Sequence, residues 1–67
     1  MDMQALSFVV SHTLNRWVLM VGRTYLGDHE TPERALRAAF DMARRTRGNN
    51  RVYLVGDDGA MMQQWPS

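Results

Sequence analysis

The chain has 67 residues, a net charge of +1 and no cysteine. That length admits a single domain spanning 1–67, and such a domain buries only about 60% of the surface its unfolded form exposes, so a partner or a second copy would help it. The missing cysteines exclude disulfide staples and thiolate metal sites, and the near-neutral charge excludes both a strongly basic nucleic-acid binder and an acidic mimic.

Residues 5–12 alternate Leu6, Phe8 and Val10 with Ser7, Val9 and Ser11, the period of two that predicts a strand. Residues 13–15 are a turn, where Asn15 tolerates the left-handed backbone region. Residues 16–24 form a second strand rich in Trp and β-branched residues, paired with the first as an antiparallel hairpin. This strand is apolar on both sides: Trp17, Leu19 and Val21 face one way, Val18 and Met20 the other. A single helix can cover only one of those faces.

Residues 25–30 are expected to be a loop, with Gly27 and Asp28 as breakers. A helix is predicted from about Thr31 to Arg47. Thr31 caps it, Pro32 suits its first position, and Glu33 complements the positive end of its dipole. Leu36, Ala39, Phe40 and Ala43 make the i, i+3, i+4, i+7 stripe expected to face the sheet. Gly48 is the expected left-handed cap. Residues 51–56 form a third strand, Asp57-Asp58-Gly59 a tight turn, and residues 60–65 a fourth strand. The expected fold is therefore α+β, in the order ββαββ, with one amphipathic helix packed on a small antiparallel sheet.

The Trp17-x-Leu19 strand, the Thr31-Pro32-Glu33-Arg34-Ala35 helix start and the Val52-Tyr53-Leu54-Val55-Gly56-Asp57-Asp58-Gly59 run stand in that order. In this the chain resembles a family of small bacterial and phage domains of unknown function. The resemblance implies the ββαββ order and carries over no catalytic residue. The chain departs from the family pattern in its last strand, where Met61, Met62 and Trp65 replace expected charge.

No constellation for chemistry emerges. His12 and His29 lie far apart in the chain, and the two turn aspartates lack the alternating spacing of a calcium loop. Ser11, His12 and Asp28 make a triad only on paper, and the glycines form no phosphate-cradling loop. The expectation is a non-enzyme with no catalytic residues, no metal and no cofactor. No apolar run approaches the ~20 residues of a membrane span. The start, Met1 to Gln4, lacks a basic leader region, so a cytoplasmic location is expected.

Two binding surfaces remain. Trp17, Met20, Tyr53, Met61 and Trp65 are residue types that dominate protein contacts. They suggest a protein-binding, self-associating module, a homodimer of accessory or inhibitory kind such as phages and mobile elements carry. The same residues could instead form the core, and strand alternation forbids both roles for all of them. The alternative is weak nucleic-acid binding through Arg44, Arg45, Arg47 and Arg51, which have no acid between them. The rest of the helix exterior is expected to neutralise itself through the i, i+4 pairs Glu33–Arg37, Arg37–Asp41 and Asp41–Arg45.

Overall fold

A computed structural model describes residues 5–66. The Met1 to Gln4 start, on which the expected lack of a leader rests, lies outside them. The elements are β1 (Ser7–Thr13), β2 (Arg16–Val21), β3 (Thr24–His29), α1 (Pro32–Arg45), β4 (Arg51–Val55) and β5 (Met61–Trp65). One five-stranded sheet runs in the order β3-β2-β1-β4-β5, and the helix packs on one side of it. The protein is thus a small α+β domain, but with five strands rather than four.

The added strand is β3, over residues expected to form a loop. Its pairing with β2 overrides the weak strand preference of Gly27 and Asp28. Gly22, at φ +58°, opens the two-residue turn that joins Val21 to Thr24. Leu14 and Asn15 are both left-handed, at φ +52° and +64°, and close the β1–β2 hairpin in the same compact way.

The sheet is also mixed, not antiparallel. β1 pairs with β4 in parallel, Val9 opposite Tyr53 and Val10 opposite Leu54. Because β3 lies at one edge and β4 beyond β1, the connecting helix must cross the sheet, and parallel neighbours require such a crossover.

The helix begins where its residues dictate. Thr31 Oγ1 accepts the Arg34 N–H at 3.2 Å, and Pro32 follows. It ends earlier than expected, at Arg45, with Thr46 rather than Gly48 as cap. The Thr46 backbone N–H and hydroxyl both donate to the Met42 carbonyl, at 3.0 and 2.8 Å. Its innermost ridge is Ala35, Ala39 and Ala43, spaced four apart. Leu36 and Phe40, expected in that ridge, are half-buried and flank it. Methyl-sized side chains let the helix axis come close to Phe8, Val10, Leu19 and Val52, which supply the bulk of the core.

One buried polar side chain holds three elements together. Asn50 Oδ1 accepts the Leu6 N–H ahead of β1 at 3.1 Å, while Nδ2 donates to the Ala43 and Thr46 carbonyls at 3.1 and 2.8 Å. The Arg51 N–H then donates to the Leu6 carbonyl at 2.9 Å.

Candidate functional site

Strand alternation decides which side chains the helix covers. Phe8 and Val10, Leu19, and Val52 point toward α1 and are buried. Their neighbours Val9, Val18, Met20, Tyr53 and Val55 therefore point to the other side, over which no helix or strand of the described residues lies. Register aligns four strands into one row on that uncovered face: Tyr53, Val9, Met20 and Tyr25. Gln63 of β5 continues the row opposite Tyr53.

The five residues singled out for protein contact divide between the two faces. Met20, Tyr53 and Met61 lie on the uncovered face. Trp17 and Trp65 lie on the helix side and pack against the core. An irregularity between Val52 and Tyr53 makes this possible for Trp65: Val52 pairs with Trp65 but Tyr53 with Gln63, so Gln64 is the extra residue. Sequence alternation counted through Gln64 would put Trp65 on the wrong side.

The two edges of the sheet differ. At the β3 edge, Asp28 Oδ1 accepts from Arg16 Nε and Nη2 at 2.8 and 2.6 Å, and the Tyr25 hydroxyl donates to Asp28 Oδ2. These residues lie on the uncovered face and place charge along that edge. The β5 edge, Met61-Met62-Gln63-Gln64-Trp65, carries no charge at all, and Met61 and Met62 are 54% and 49% exposed. Unpaired strand edges without charge are adhesive.

The hydrogen bond from Tyr25, then the one from Arg16, holds the Asp28 carboxyl below its ordinary range; the same Asp28 bond raises the Tyr25 hydroxyl. For a depressed carboxyl, the stabilisation is present above the unfolded pKa of about 4 and is lost as pH falls through the folded value. Asp28→Asn should therefore be less stable than the natural chain at neutral pH, and the gap should shrink as the solution is acidified below about pH 4. Melting curves across that range check it. A gap that stays constant into acid would show that ionisation of the Asp28 carboxyl contributes nothing to stability.

The other sequence-level candidates separate. Ser11 and His12 are strand neighbours and point to opposite faces, so they do not converge with Asp28. His12 stacks on Trp17 with ring centroids 4.3 Å apart, and His29 is opposite Trp17 on β3, so the two histidines flank one indole. Among the described residues no group of three metal-ligating side chains comes together. No described helix is long and apolar enough to cross a membrane.

On the helix exterior, Asp41 pairs with Arg45 at 3.3 Å and Glu30 with Arg34 at 3.9 Å. Of the three expected helix pairs, Asp41–Arg45 is present, while Glu33–Arg37 and Arg37–Asp41 are absent among the described ion pairs. Arg44, Arg45, Arg47 and Arg51 fall at the same end of the molecule, where α1 stops and β4 starts. No protein-family model, curated protein or solved structure matches the chain.

Proposed function

We propose that the chain is a non-enzymatic protein-binding module that first binds a second copy of itself. The observation that carries this reading is the β5 edge, uncharged along its length and flanked by two half-exposed methionines. The uncovered row from Tyr25 through Met20 and Val9 to Tyr53 leads into that edge, so one contact surface joins the two. Only one edge is bare, since Asp28 and Arg16 guard the other. A chain with one adhesive edge pairs about a two-fold axis and closes as a dimer instead of growing into a filament. The small core supports the reading: among the described residues three of the seven buried hydrophobic ones are alanines, and extending the sheet across two copies adds burial the single chain lacks. Contact without chemistry suits an accessory or inhibitory protein, and a chain without cysteine suits a reducing compartment such as the cytoplasm.

Light scattering on a size-exclusion column, over a range of concentrations, tests the proposal. The natural chain should run as a dimer, and Met62→Lys, which places a charge on the bare edge, should run as a folded monomer. A natural chain that stays monomeric at every concentration would sink the reading.

A further inference from the structure

We propose that the end of the molecule where α1 stops and β4 starts binds single-stranded nucleic acid. The crossover sorts the charges of this nearly neutral chain. β1, β3 and β4 run one way, and β2 and β5 the other. One end therefore gathers the finish of β3, the start of α1 and the β4–β5 turn. It holds Asp28, Glu30, Glu33, Asp57 and Asp58, and its Arg16 and Arg34 are both tied to acids there. The other end gathers the β2–β3 turn, the finish of α1 and the start of β4, and holds Arg23, Arg44, Arg45, Arg47 and Arg51. From Arg37 to Arg51 the only acid is Asp41, and it is engaged by Arg45. Among the described residues, no carboxylate lies within 4.0 Å of Arg23, Arg44, Arg47 or Arg51.

A second feature coincides with this basic pole. A recess of about 290 Å³ opens there, lined by Gly48, Asn49, Asn50, Arg51, Trp65 and Pro66. That size sits at the bottom of the roughly 300–1,000 Å³ range of small-ligand pockets, suited to one planar ring system. Its lining residues include Trp65, half-buried against the core, the exposed amide Asn49, and Arg51, whose side chain alternates with that of Val52 toward the uncovered face beside the recess. Guanidinium forks match phosphate oxygens in pairs, and bases stack on aromatic and Arg planes when they are not already stacked in a duplex. An unpaired strand meets both demands: its phosphates reach the Arg fringe while one base enters beside Trp65. A duplex withholds the base, and an acidic peptide has none.

Fluorescence anisotropy of a labelled oligothymidylate dodecamer on the natural chain tests this, beside the matching duplex and a poly-Glu peptide. With four phosphate contacts, affinity should fall about fifty-fold between about 50 and 200 mM salt. Arg44→Ala with Arg47→Ala should cut the salt slope by about half, whereas Arg34→Ala, at the acidic end, should leave it unchanged. In Trp17→Phe, Trp65 is the sole tryptophan, and its emission should be quenched on binding. The anisotropy series stands even if that variant does not fold. No binding at low salt, equal binding of poly-Glu or duplex, or equal damage from Arg34→Ala would overturn the proposal.

Discussion

Asn50→Ala is expected to destabilise the fold by about 3 kcal/mol or more, a large share of what a domain of this size possesses. The side chain is 3% exposed and makes three hydrogen bonds to backbone. Alanine leaves the Leu6 N–H and the Ala43 and Thr46 carbonyls without that partner, and each buried group so orphaned costs roughly 1–3 kcal/mol. Water can reach some of these groups, so the full sum is an upper bound. The melting temperature should drop by roughly 10–25 °C. Urea titration should show a lower midpoint with an unchanged slope, because the same surface is exposed on unfolding. Asn50→Asp separates hydrogen bonding from volume. It keeps the acceptor for Leu6 but faces two carbonyls with oxygen and buries a charge, so at neutral pH it should be no better than alanine. If Asn50→Ala costs less than about 1 kcal/mol, the clamp between β1, α1 and β4 lies elsewhere.

Much of this architecture is legible locally. The Thr31-Pro32 helix start, the Asn15 and Asp57–Gly59 turns, and the alternation of β1, β2 and β4 each rest on a few adjacent residues. What escapes is set at a distance. Gly27 and Asp28 read as loop residues because strand preference is weak there. They become a strand because Arg16 and Tyr25 engage the Asp28 carboxylate and Gly27 sits opposite Leu19. The parallel β1–β4 pair depends on where the helix returns the chain, which no short segment encodes. Asn50 looks like one more polar loop residue, yet its amide donates to the Ala43 and Thr46 carbonyls where the helix ends at Arg45. The candidate binding residues divide for a similar reason: one extra residue, Gln64, turns Trp65 inward while Met61 stays on the uncovered face. The Arg cluster is visible in the chain, but its isolation from the acids is a product of the crossover.

Adjacent substitutions on β2 should separate the two faces. Leu19 is fully buried and is the largest such side chain in the domain. Leu19→Ala removes its contacts with the alanine ridge of α1 and leaves a cavity, at a cost of about 2–5 kcal/mol. Among the described residues, only Phe8, Val10 and Val52 remain as buried side chains larger than alanine, so a good part of the population should be unfolded at room temperature. Leu19→Ile, which keeps the volume, should cost under about 1.5 kcal/mol. Met20 is one residue away and points to the face that no described helix or strand covers. In dilute solution, where the chain is a monomer, Met20→Ala should cost well under the Leu19 value, because little packing is lost. Measured at concentrations where two copies associate, its cost should grow if the second copy rests on the row from Tyr25 to Tyr53, and stay flat if the dimer is held by the β5 edge alone. Chemical denaturation at two protein concentrations therefore tells face from edge. A Met20→Ala penalty as large as that of Leu19→Ala in the dilute sample would mean that the face is already covered within the single chain.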